Sequence, residues 1–140
     1  MADITSTAAQ VSLVQVQNSE VYDFIAAVAI TAGQVVYLVT STGKVNLADA
    51  SAEGTAQAVG VALQTVGANQ AVSVLKRGKI AGFTLTSQTI ADQIFLSDTA
   101  GALADAAGTV TNGCGRVIAS SETTPQKQLY VDFDWTTQYS

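Results

Sequence analysis

Two stretches of this chain repeat one pattern, and that repeat narrows the fold more than any other feature. Ala32-Gly33-Gln34-Val35-Val36-Tyr37-Leu38 resembles Ala91-Asp92-Gln93-Ile94-Phe95-Leu96, with a shorter echo at Ala68-Asn69-Gln70-Ala71-Val72-Ser73-Val74. Each copy reads as a turn, a Gln and then a strand. The first two copies continue alike, through a tight turn at Gly43 or Gly101 and a segment at Leu47-Ala48-Asp49-Ala50 or Leu103-Ala104-Asp105-Ala106. They close on Gly60-Val61-Ala62-Leu63 or Gly115-Arg116-Val117-Ile118. Similarity that runs through a whole strand-turn-strand unit implies two structural halves, residues 32–63 and 91–118. The spacing between equivalent residues shortens from the Gln pair to the closing Gly pair. The copies therefore read as a decayed duplication inside one domain and not as units of a solenoid.

The rest of the chain agrees with strands. Leu129, Val131, Phe133 and Trp135 alternate with Tyr130, Asp132, Asp134 and Thr136, the period of two that a half-buried strand requires. Val35 to Val39 is apolar on both faces, as a central strand covered on each side would be. Val59 to Leu63, Ala71 to Leu75, Lys79 to Leu85, Ile94 to Leu96 and Arg116 to Ala119 read as further short strands. Turn signals separate them at Ser41-Thr42-Gly43-Lys44, Arg77-Gly78-Lys79, Thr99-Ala100-Gly101 and Asn112-Gly113. Asp23 to Ile30 suits a strand or, by its Phe24, Ile25, Val28 spacing, a short helix; the strand is preferred. The expected fold is all-β: one compact antiparallel β-sandwich or barrel over residues 11–140, preceded by an extended, flexible N-terminal arm at residues 1–10.

At 140 residues one core suffices, since a chain of this length buries roughly 70% of its unfolded surface. Charged residues are only 12% of the chain, against about a quarter in an ordinary soluble domain. Small uncharged residues fill the gap, which suits packed sheets and partner-covered surfaces. The net charge of −5 disfavours a nucleic-acid backbone as partner. Phe24 to Gly43 is uncharged, but Thr31, Gly33 and Gln34 interrupt it, so two strands around a turn account for it better than a membrane span. The start, Met1-Ala2-Asp3-Ile4-Thr5, has neither the basic nor the apolar region of a secretion signal, and the expectation is a protein made and used without export.

Chemistry finds little to work with. There is no His, which removes the commonest general base, the usual triads and most transition-metal sites. Cys114, the only cysteine, lies between Gly113 and Gly115 with Arg116 as the nearby charge, and reads as a buried structural thiol. Asp132 and Asp134 fall on one face of the expected last strand about 7 Å apart, a spacing open to an acid pair or a Ca²⁺ ion. Solvent-facing acids that keep a strand edge unpaired explain them more simply. Lys76, Arg77 and Lys79 form the one basic cluster, with Gly78 suggesting a hairpin tip that is either solvated or set against an acidic protein surface. Thr42-Gly43-Lys44-Val45 lacks the upstream Gly and following Ser or Thr of a phosphate loop and is a turn. No catalytic residue, metal ligand or cofactor is expected.

The termini carry the candidate contacts. Residues 1 to 10 are small and polar, an arm left free or ordered by a partner, and Ala2, Asp3 and Ile4 within it are candidate interaction residues. In the tail, Trp135 reads as a cap on the core and Tyr139 as an interface residue.

The order Ala32 to Leu38, Gly43-Lys44-Val45, Ala58-Val59-Gly60-Val61-Ala62, then Gln70 to Val74 leading to Gly78-Lys79-Ile80-Ala81-Gly82 resembles the capsid decoration (head cement) proteins of tailed phages. The resemblance covers about residues 24 to 120 and rests on the sequential pattern of Gly, Gln and apolar residues. It implies a β-rich virion protein, often a homotrimer, that sits on the outer surface of an assembled head, binds the major capsid protein and reinforces contacts between capsomers, without catalysis or cofactor. It assigns no contact residues. The alternatives are a carbohydrate-binding or fibre-like surface module, and a tail-tube or tail-tip subunit.

Overall fold

The computed structural model describes residues 2–15 and 17–140; Met1 of the expected arm lies outside them. The described residues form one curled antiparallel sheet, a half-barrel of eleven strands. In chain order these are β1 (Asp3–Ile4), β2 (Ser12–Leu13), β3 (Glu20–Ile25), β4 (Val35–Leu38), β5 (Val45–Leu47) and β6 (Ala58–Ala62). There follow β7 (Ala71–Ala81), β8 (Gln93–Leu96), β9 (Leu103–Ala104), β10 (Gly113–Ala119) and β11 (Lys127–Asp132).

The two halves are built alike. β4 pairs with β5 on one side and β6 on the other, and β8 pairs with β9 and β10 in the same arrangement. Val36 lies opposite Gly60, and Ile94 opposite Gly115. In both halves the ladder then slips by one residue, so that Val59 and Cys114 occupy equivalent bulges. The two glycines hold equivalent close approaches: a Cβ on Gly60 would sit 2.4 Å from the Leu75 carbonyl oxygen, and one on Gly115 2.8 Å from that of Tyr130.

The repeated turn has a physical cause. In residues 31–34, 67–70 and 89–92 the amide of the fourth residue donates to the carbonyl of the first, at 3.1, 3.3 and 3.0 Å. The side chain of the fourth residue accepts from the amide of the first: Gln34 from Thr31 (2.9 Å), Gln70 from Gly67 (2.7 Å), Asp92 from Thr89 (2.7 Å). The third residue is left-handed in each, Gly33 (φ 96°), Asn69 (φ 67°) and Ala91 (φ 81°). A strand begins at the next residue. In the third copy the accepting group is thus Asp92 and not Gln93, so matching the halves by residue identity is off by one there. By the same registers Leu103 and Ala104 are the counterparts of Val45 and Asn46 in the other half, and not of Leu47 and Ala48.

β7 joins the halves. Along one edge it meets β6 at Val74–Leu75 and then β11 at Arg77–Ile80; along the other it meets β3 and then β2. The strand therefore turns a corner, and Gly78 (φ 144°) lies there, where a Cβ would come within 2.7 Å of Ser19 Oγ. This corrects the sequence expectation, which split β7 into two strands around a hairpin tip at Arg77-Gly78-Lys79. Gly78 faces Val131 in mid-strand. The far ends of the sheet meet through Val35 N to Gly101 O (2.9 Å), Gly101 N to Ala48 O (2.7 Å) and Ala50 N to Ser97 O (2.7 Å). Between them the sheet wraps fully buried Val35, Leu75, Ile94, Leu96, Leu129 and Phe133, each worth about 1.5–3 kcal/mol of burial. A second, smaller core holds Ala26, Ile30, Val36, Val45, Val72 and Val74.

The N-terminal segment is also corrected. Expected as a flexible arm, its residues 2–7 lie between two edges of the half-barrel as a strap. Asp3 and Ile4 pair with Ala104 and Leu103, while Thr5 O accepts from Thr84 N (2.9 Å) and Thr7 N donates to Gly82 O (2.8 Å). Ile4 is buried in the larger core. One apolar side chain, a set of backbone bonds and the carboxylates of Asp3 and Asp105 hold the strap, and none of these contacts is visible in composition. Asp23 to Ile30 is strand only to Ile25, after which Ala26 bridges to Val45. The last strand stops at Asp132, short of the expected run to Trp135.

Candidate functional site

Four of the expected site residues are accounted for by the fold. The Ala2 amide donates to Asp105 Oδ1 (2.9 Å), Asp3 accepts from the Ser97 hydroxyl, and Ile4 points into the core. Tyr139 is half-buried against the core, its amide donating to Gln57 Oε1 (2.9 Å) and its carbonyl accepting from Gln57 Nε2 (2.7 Å). Burial, then the Asp134 charge, pushes its phenol pKa upward. The arm lies along β9 and the tail against Gln57, so the two sets of candidates occupy separate places in the fold. The Cys114 thiol is buried and pushed up to about 12 by desolvation, which leaves it protonated and unreactive.

Asp132 and Asp134 do not share a strand face. Asp132 ends β11 opposite Arg77, whereas Asp134 folds into the following turn. Its Oδ1 accepts from the Thr136 amide (2.9 Å) and hydroxyl (2.7 Å), and its Oδ2 from the Thr137 hydroxyl (2.6 Å). These bonds, led by Thr137, lower its pKa to about 2. Among the described residues no group of three or more acidic or thiol side chains is placed to hold a metal ion, and no helix is long and apolar enough to cross a membrane.

The turn at Asp134 swings Trp135 outward, and there the surface acquires a feature. Trp135 is 42% exposed and does not cap the core as its place in the alternation suggests. Its indole Nε1 donates to the carbonyl of Val59, the bulge residue of the first half (2.9 Å). Tyr22 and Phe24, on one face of β3, bring their rings to 4.7 and 6.4 Å from it, tilted and edge-on. Such pairs add about 0.5–1.5 kcal/mol each beyond burial. Lys76 Nζ stands 5.2 Å from the indole centroid and 3.6 Å from Glu20, which also meets Arg77 at 3.4 Å. The basic cluster is thus partly turned inward on an acidic strand end.

Beside the indole runs a groove of about 380 Å³ lined by Phe24, Leu38, Ala58 and Val59 and by Asp134 and Gln138. Val21, Tyr22, Ile25, Leu38 and Trp135, all large, apolar and exposed, cluster in β3 and around this groove. Elsewhere among the described residues only Val14 and Ile90 share that description. Sequence reasoning missed this region because it began the strand at Asp23; the aromatic pair Tyr22 and Phe24, two residues apart, was the available signal. The groove can hold apolar side chains against aromatic rings, and its polar side chains are already hydrogen-bonded within the fold, Asp134 by Thr136 and Thr137, Gln57 to Glu53 and Tyr139, and Gln138 to Glu53. Comparison with protein-family models returned no match, and comparison with curated proteins returned none either.

Proposed function

We propose that this chain is a capsid decoration protein, a non-enzymatic virion component that binds the outer surface of an assembled phage head, self-associates as a homotrimer and reinforces contacts between capsomers. The observation that carries the reading is the concentration of exposed apolar side chains on and beside β3, with Val21 and Ile25 on one face of the strand and Tyr22, next to Leu38 and Trp135, on the other. A concentrated apolar patch on a small domain marks a face that a partner covers. The resemblance to decoration proteins over about residues 24 to 120, carried by the sequential pattern of Gly, Gln and apolar residues, supports the same reading. The test is addition of purified protein to expanded, undecorated heads. Saturable binding that raises the temperature at which the heads break open is expected, and absence of binding overturns the proposal.

A second reading, carbohydrate binding, is favoured by one observation: a half-exposed indole beside a tyrosine, bordered by Asp134 and Gln138. Against it, Tyr22 and Lys76 already crowd the ring. A glycan array with reproducible hits that vanish in Trp135→Ala would decide in its favour.

A further inference from the structure

β3 pairs with β7 and, among the described residues, with no other strand; only at its end does the chain bridge to β5, through Ala26 and Val45. Its backbone directions can be followed from there. Ala26 N donates to Gln70 O (2.9 Å) across toward β7, whereas Ala27 N donates to Val45 O (2.8 Å) on the opposite side. Amides alternate along a strand, so Phe24 and Tyr22 face β7, and Ile25, Asp23 and Val21 turn their backbone groups outward. An open edge is thus present whose outward residues read apolar, acidic, apolar, with Val21 and Ile25 41% and 42% exposed. On the other face of the same strand lie Tyr22 and Phe24, next to the groove of Leu38 and Trp135.

We propose that this edge accepts an extended segment of another protein as an added strand, with a Lys or Arg opposite Asp23 and apolar residues on either side of it. Charge selects the occupant. Pairing of the whole edge with that of a second copy would set Asp23 directly against Asp23, and like charges facing across strands are destabilising. A basic residue there forms an ion pair; the Asp23 carboxylate, which accepts one bond from Ser73 Oγ (2.9 Å), keeps a second oxygen for it. Side chains of the incoming strand on the Tyr22 face would enter the apolar groove, and those opposite Val21 and Ile25 would cover them. Main-chain bonds supply affinity and the alternating side chains supply selection. The source of the segment, a subunit of the head, rests on the function proposed above; the chemistry of the edge does not.

The probe is the peptide acetyl-Thr-Val-Leu-Lys-Leu-Val-Thr-amide, whose palindromic sequence suits either strand direction, with a control carrying Glu for Lys. The chain has a single tryptophan, so emission from Trp135 reports occupation of the groove. Saturable binding of the Lys peptide, at least fivefold tighter than the Glu peptide, is expected. Asp23→Lys should reverse the preference, and Asp23→Asn, which can still accept from Ser73, should abolish it without reversing it. No saturable binding, equal affinity for both peptides, or an unchanged preference in Asp23→Lys overturns the inference. Failure of the wild-type protein to bind heads refutes the proposed function and leaves this titration to decide the edge on its own.

Discussion

At the scale of single residues, two side chains show how the turns are made. Ala91 is the only one of the three equivalent left-handed positions filled by a residue with an ordinary Cβ and no polar side chain, where the other copies have Gly33 and Asn69. The conformation costs about 1–2 kcal/mol for an L-residue, and glycine returns about 0.4–1 kcal/mol of that through its freer unfolded chain. Ala91→Gly should therefore raise stability by about 0.5–1 kcal/mol, read as a higher midpoint in urea. Asp134 acts through charge. Its pKa of about 2 lies below the unfolded value, so the stability its turn contributes is complete above about pH 4 and is lost as pH falls through about 2. In Asp134→Asn, the decline in unfolding midpoint between pH 4 and pH 2 should become shallower than in the wild type.

At the scale of elements, the close approach of β6 to β7 and of β10 to β11 is set by Gly60 and Gly115. Gly60→Ala should cost about 1–3 kcal/mol, and more than Gly115→Ala, because its Cβ would meet both the Leu75 carbonyl at 2.4 Å and the Val74 side chain at 2.5 Å. Paired unfolding curves of the two variants test the order. The first and last strands of each half, β4 and β6, β8 and β10, were legible in the sequence because apolar residues alternate or cluster in them between turn residues, whereas the short β5 and β9 were not read as strands. β7 was read as two strands because Arg77, Gly78 and Lys79 look like a turn; they are a corner through which the ladder to β11 continues at the glycine. Trp135 was misplaced for a related reason. The period of two runs on through Phe133 to Trp135, but the bonds from Thr136 and Thr137 to Asp134 end the strand and turn the ring to the surface. The candidate site was the less legible part, since it depends on which edge of β3 stays open, and pairing partners are not encoded in local periodicity.

At the scale of the whole molecule, the strap of residues 2–7 ties β9 to the chain that leaves β7. Ile4 is its one buried anchor, so Ile4→Ala should cost about 2–3 kcal/mol and loosen the strap. Hydrogen exchange should then quicken at the amides of Thr7, Thr84 and Asp105, which bond across it, before it quickens in β10 and β11. The matching halves carry a consequence of another kind. Each has a groove beside its bulge, one along Ala58 and Val59 and one along Gly113 and Cys114, but their linings have parted. The first received an indole, two aromatic neighbours and an exposed leucine; the second has Arg116, Tyr130 and Asp132. Both halves keep the same strand pairing while the side chains around the bulge differ, so one scaffold presents two chemically distinct grooves. Specificity can therefore be altered by substituting the lining of one groove, with no change of fold required.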